Sequence, residues 1–280
     1  MKKVIIILVI IILAISLCLL YSRFIATRGL KVKEYKVVSS KITDSYHGLK
    51  IIHLTDIHYG STVNEKELNN IVDKVNEIKP DIVVMTGDLI DERLSYDKDI
   101  IINCLSKIEA KLGKFAVSGN HDIPLDDYNY IVKESEFTSL DNKYELIYSK
   151  SNEPIIISGI GYGDEDLGIK TEQFDKYISE LKTDDIKPIY SILLVHEPDT
   201  VENLDLNKYD LILAGHSHAG QVRLPIIGKL YTPEGAKKYY DEYYKINNTD
   251  LYISSGLGTS LYKFRLFNKP SFNFYRITNK

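Results

Sequence analysis

Five short apolar runs, each stopping abruptly at polar residues, restrict this 280-residue chain more than any other feature. They read "KIIHLTDIH" (50–58), "DIVVMTGDL" (81–89), "KFAVSGNHD" (114–122), "YSILLVHEP" (190–198) and "YDLILAGHSH" (209–218). Continuous runs this brief and rich in Ile and Val suit strands buried on both faces of a sheet. Helical patterns lie between them. Leu68, Ile71, Val72, Val75 and Ile78 recur at helical spacing, with Thr62 and Glu65 placed as a capping box and Pro80 just beyond. Ile101, Leu105, Ile108 and Leu112 repeat the pattern, with Gly113 as the natural stop. Strands alternating with helices predict an α/β domain on a parallel or mixed sheet, whose ligands gather beyond the carboxyl ends of the strands. After a linker around residues 22–30 there is no Pro/Gly/Ser-rich break and no repeat, so one domain over 31–280 is expected.

The polar residues at those strand ends are of one chemical kind. Asp56 and His58 follow the first run, Asp88 the second, Asn120, His121 and Asp122 the third, His196 the fourth, and His216 with His218 the fifth. Five of the seven histidines therefore sit at strand ends. Residues two apart on an extended segment project to one side, so Asp56 with His58, and His216 with His218, each aim two donors at one place. Carboxylates, neutral imidazoles and an amide oxygen are ligands for divalent transition metals. Asp56, His58, Asp88, Asn120, His196, His216 and His218 are too many for one four-coordinate ion and suit two ions that share a carboxylate. Two dications, two aspartates and a hydroxide would leave a site about one unit positive, attractive to phosphate. Gly60, Gly87, Gly119 and Gly215, beside these residues, fit sharp turns and close backbone approach.

In order over 56–218, "DIH", "GD", "GNHD", "VH" and "GHSH" resemble the signature of the calcineurin-like metallophosphoesterase superfamily. "GQVRLPIIGKLY" (220–231) and "LYISSGLGTS" (251–260) look like its membrane-anchored bacterial branch, which often has Gly where this chain has Ala219. The resemblance implies two mixed β-sheets packed as a sandwich flanked by helices. It also implies two divalent ions (Mn, Fe or Zn), one held by Asp56, His58 and His218, the other by Asn120, His196 and His216, with Asp88 bridging. A metal-bridging hydroxide would then attack phosphorus in line, and His121, oriented by Asp122, would stabilise charge or protonate the leaving oxygen. Phosphodiesters, phosphomonoesters or pyrophosphates are the expected substrates, with lipid-linked and cell-envelope phosphates the first class to test. A cyclic-nucleotide phosphodiesterase and a non-catalytic envelope-binding protein on the same fold are the alternatives. A metal-dependent amide hydrolase has no H-E-x-x-H helix to stand on.

The amino-terminal segment departs from the rest. Residues 4–20 contain one polar side chain, Ser16, and approach the length of a membrane span. The following residues offer no A-x-A cleavage site, and Leu17 before Cys18 is a poor lipoprotein box, so an uncleaved anchor over 1–30 is expected. A bare count of flanking cations would keep the domain inside, yet large downstream domains translocate largely regardless of charge. The expectation is a single-pass cell-membrane protein with its catalytic domain extracytoplasmic. Net charge is −4 with Lys and Arg scattered, which argues against a nucleic-acid partner. Cys18 and Cys104 are too far apart in character to pair, and oligomeric state is not readable. His53 reads as a core histidine, His47 as a surface one, "GIGYGDED" (159–166) as a turn or substrate-side loop, and Tyr239, Tyr240, Tyr243 and Tyr244 as strand-face aromatics.

Overall fold

The computed structural model describes residues 1–150, 152–163, 176 and 189–280. Two six-stranded mixed sheets carry the architecture. The first is ordered β1 (Lys31–Val38), β14 (Ser271–Thr278), β2 (Leu49–Leu54), β3 (Ile82–Thr86), β4 (Gly113–Val117), β5 (Thr138–Ser139), and only the β14–β2 pair is antiparallel. The second is ordered β12 (Tyr243–Ile246), β13 (Thr249–Ile253), β9 (Leu211–Ala214), β8 (Tyr190–Val195), β7 (Ile155–Ile160), β6 (Lys143–Ile147), with parallel pairing through its four central strands. A small hairpin of β10 (Arg223–Leu224) and β11 (Gly228–Lys229) stands apart.

Alternation explains the layers. Ile51, Val84 and Phe115 of the first sheet pack with Ile157, Leu194 and Leu213 of the second in one buried cluster between them. Ile52, Val83 and Met85 face the other way, onto α2 (Glu65–Ile78), α3 (Lys98–Leu105) and α4 (Tyr128–Glu134). Strands apolar on both faces are what a sheet covered on both sides requires. The α2 stripe of Leu68, Ile71, Val72 and Val75 is buried as expected, each side chain contributing about 2 kcal/mol.

Two helix boundaries differ from expectation. The cap of α2 is Asn64, whose side chain accepts from Lys66 and Glu67 N–H while Glu67 returns to the Asn64 N–H. Thr62 is instead drawn to Thr259 (3.3 Å), which pulls it out of capping position. The helix ends at Lys79, in the left-handed region at φ 54°, just before Pro80. Helix α3 stops at Leu105, well short of Gly113, which opens β4. Asn76 causes this: its amide donates to the Lys107 carbonyl (2.8 Å) and accepts from the Glu109 N–H (2.9 Å), taking the chain out of the helix. Ile108 is still buried, so the apolar spacing was real although the helix was not. Cys104 and Cys18 are both free thiols.

Helix α1 (Lys2–Phe24) is long and apolar enough to cross a membrane, with a mean hydropathy of 3.4 over its most apolar window and no burial of that window. Its last turn is tied to the rest of the chain. Ser22, Ala26 and Thr27 are buried, and the Arg265 N–H donates to the Ser22 carbonyl (3.0 Å).

Candidate metal centre

The carboxyl ends of β2, β3 and β4 in one sheet, and of β8 and β9 in the other, point to the same place. Asp56, His58, Asp88, His196, His216 and His218 are each no more than 9% exposed there, and Asn120 is half-buried. Asp56, His58 and His218 bring donor atoms within 4.8 Å of one another, and so do Asp88, His196 and His216. In the first group His58 Nε2 lies 3.2 Å from His218 Nε2, and His218 Nε2 lies 3.5 Å from Asp56 Oδ1. In the second, His196 Nε2 is 3.1 Å from both His216 Nδ1 and Asn120 Oδ1. Asp88 Oδ2 stands between the groups, 3.5 Å from His58 Nε2 and 3.3 Å from His196 Nε2.

The backbone is bent to achieve this. Asp56, His58, Asp88, His216 and His218 all have φ between 43° and 63°, a region costly for side-chain-bearing residues and concentrated at functional sites. Gly119 must be glycine for a different reason: a Cβ there would fall 2.3 Å from Asp88 Oδ1. Gly256, within "LYISSGLGTS" but outside the metal-site motifs, has φ 71° and would place a Cβ 2.9 Å from His218 Nδ1.

Electrostatics follow from burial. Burial drives His58 down to about 3, His216 to about 4 and His218 well below the usual range, so all three are the neutral imidazoles that ligate metals. Burial, opposed by His196, pushes Asp56 up to about 7. For Asp88 burial would raise the carboxyl, but the neighbouring His196, then His58 and His121, hold it well below the usual range. Its partner His196 resists protonation through burial yet rises to about 10 beside Asp88 and Asp56. Acceptors this dense, with lone pairs converging on shared space, fit divalent cations, and the donor types suit Mn, Fe and Zn alike.

His121 and Asp122 do different work from each other. The Asp122 carboxylate accepts three backbone N–H bonds, from Asp88 (2.7 Å), Leu89 (2.9 Å) and Gly119 (2.9 Å), and thereby clamps the tip of β3 to that of β4. It does not meet the His121 ring. The orienting contact expected of Asp122 falls to Glu92, whose Oε2 pairs with His121 Nδ1. His121 Nε2 faces the centre, 3.9 Å from Asp88 Oδ2. Glu92 sits in the loop after β3 with no motif to announce it. Arg265 is likewise silent in the sequence: fully buried, it donates to the carbonyls of Ser255, Gly256 and Gly258 and reaches His218 Nδ1 at 3.4 Å.

A family model described as calcineurin-like phosphoesterase matches residues 49–220, the stretch that contains all seven donors. The chain belongs to the calcineurin-like phosphoesterase family. Uncharacterized metallophosphoesterase YkuE of Bacillus subtilis is 30% identical over 92% of this chain and 88% of its own. Phosphodiesterase YaeI of Escherichia coli is 27% identical, covering 81% of each chain. A transmembrane protein with metallophosphoesterase domain from Danio rerio is 28% identical over 81% of this chain, which spans 53% of that protein's length. As a calcineurin-like phosphoesterase, the chain is a metal-dependent phosphoester hydrolase with a site for two divalent cations.

The remaining sequence expectations concern residues away from the centre. His53 is fully buried, with Nε2 2.7 Å from Thr86 Oγ1, and burial lowers it to about 3. His47 is exposed. Of "GIGYGDED", Gly159 and Ile160 close β7, and residues 164–166 lie outside the described residues. The Tyr239 hydroxyl donates to Glu202, the Tyr243 hydroxyl donates to Asp250, and the Tyr244 hydroxyl accepts from the N–H groups of Tyr240 and Asp241.

Proposed function

We propose that the chain is a single-pass membrane-anchored phosphoesterase, with residues 1–30 as anchor and linker and 31–280 as an extracytoplasmic catalytic domain. Asp56, His58 and His218 hold one cation, Asn120, His196 and His216 hold the other, and Asp88 is shared. The observation that carries this reading is the position of Asp88 Oδ2 between the two donor groups. When bound, the cations supply Lewis acidity and a water acidified toward neutral pH.

The protein's own residues supply the rest. Cation binding requires the His196 imidazole to be neutral as well, leaving Asp56 and Asp88 as the site's anions, so a centre loaded with two dications would attract a phosphate. His121 gives a proton from Nε2 to the departing oxygen, while the Glu92 carboxylate accepts from Nδ1–H and stabilises the imidazolium. Asp122 keeps the β3 and β4 tips in register. The substrate is a phosphate ester, and lipid-linked or envelope phosphates are the class the apolar amino terminus favours. Diester hydrolysis draws support from the likeness to Phosphodiesterase YaeI.

The full chain in detergent would be assayed on mono- and bis-p-nitrophenyl phosphate with Mn²⁺, with Zn²⁺ and with chelator. Metal-dependent release of nitrophenolate is expected, and silence with every metal would favour a binding protein instead. Labelling of an introduced cysteine in intact cells checks the side of the membrane.

A further inference from the structure

The metal centre opens into a cavity of about 890 Å³ whose walls are mostly apolar. Asp88, Asn120, His121, His216 and His218 form its floor. Leu224, Leu230, Leu261, Phe264 and Leu266 line its sides, and Cys18 and Leu19 of α1 complete the wall. Ser22, Arg93, Ser217, Gln221 and Ser260 also line it, yet the exposed wall is mostly apolar, more so than a small, charged phosphate ester requires. The cavity is walled by the same helix that is apolar enough to cross a bilayer.

The mouth is greasy as well. The hairpin tip carries Ile226 and Ile227, exposed at 107% and 70%, beside Tyr231 at 65%, Leu261 at 62% and Tyr262 at 67%. Ile226 also has φ 70°, a backbone state in which a β-branched residue is a costly choice and Gly or Asn the cheap one. Apolar side chains gathered around an opening mark an interaction surface. Position identifies what covers it. Cys18 lies six residues before the end of α1, about 9 Å along the axis, which is the depth of the headgroup and acyl boundary in a spanning helix.

We propose that this rim seats on the bilayer and that the cavity takes the hydrocarbon chain of a membrane lipid, setting its phosphate on the metal centre. The proposal rests on the phosphoesterase reading above and names its substrate class as a lipid phosphate drawn from the membrane. Ile226 and Ile227 lie outside the cavity lining, so they serve the seating and not the hydrolysis.

The chain contains no tryptophan, so Ile227→Trp introduces a sole tryptophan, read by excitation that leaves the tyrosines dark. The full chain would be reconstituted in phosphatidylcholine and phosphatidylglycerol vesicles with brominated acyl chains. Quenching of Trp emission is expected. Unquenched emission overturns the proposal, and emission that instead changes with protein concentration would assign the rim to a second copy of the chain. In parallel, dioleoyl phosphatidic acid in vesicles and soluble p-nitrophenyl phosphate are compared as substrates. The double variant Ile226→Ser, Ile227→Ser should lose about tenfold on the vesicle lipid and nothing on the soluble ester. Equal effects on both substrates, or none on the lipid, overturn it. If wild type hydrolyses neither substrate with any metal, the phosphoesterase reading has failed, and the quenching result still decides the seating.

Discussion

At the residue scale, Asp88 has the least room for substitution. Its Oδ2 lies within 3.5 Å of both donor sets, and its Oδ1 also accepts the His121 N–H (3.0 Å). Asp88→Asn should abolish hydrolysis and lower bound metal measured by mass spectrometry; retention of both would remove Asp88 from the shared position. His121→Ala should slow alkyl phosphates far more than p-nitrophenyl phosphate, since nitrophenolate leaves without a proton. Equal losses would count against proton donation from Nε2. Glu92→Gln should show the same bias in weaker form. Ala219 is a smaller departure with a clear basis: at φ 46° alanine occupies backbone space that glycine takes freely. Ala219→Gly should raise stability by about 1 kcal/mol in chemical denaturation, a direction opposite to the usual Ala-to-Gly effect. The convergence of Asp56, His58, Asp88, Asn120, His196, His216 and His218 was legible because metal chemistry restricts residue type and spacing. Glu92 and Arg265 were not, because a carboxylate or guanidinium that acts through one contact leaves no periodic trace.

At the element scale, the five apolar runs all became strands, and their polar ends all reached the centre. What the sequence concealed was pairing. β14 inserts between β1 and β2 from the far end of the chain, and β13 flanks β9; β14 is nearly fully buried yet interrupted by Ser271, Asn273 and Arg276, and half-buried β1 reads "KVKEYKVV", so neither has a continuous apolar signature. Helix ends were hidden for a similar reason, since Asn64 and Asn76 act through side-chain hydrogen bonds that outweigh apolar spacing. Asn64→Ala removes two accepted N–H bonds at the start of α2 and should cost about 1 kcal/mol, read from the denaturation midpoint. An unchanged midpoint would mean that packing of Leu68 and Ile71 alone fixes the helix start.

At the scale of the whole molecule, the metal centre is also a joint. Asp56, His58, Asp88 and Asn120 come from one sheet, and His196, His216 and His218 from the other, so cations held by them would cross-link the two layers. Chelation should therefore lower the thermal midpoint as well as stop hydrolysis, with Mn²⁺ restoring both. A midpoint indifferent to chelator would confine the ions to chemistry alone. The segment read as a linker, residues 22–30, is packed against the domain in part, through Ser22, Ala26, Thr27 and the Arg265 bond. That junction ties the end of α1 to the catalytic domain. A helix of 23 residues, about 35 Å long, meets thin bilayers by leaning and thick ones by standing upright. In the proposed membrane-anchored state, a lean of α1 would pass through that junction to the catalytic floor, so the lipid composition around the protein would become a setting on the enzyme and not merely its surroundings.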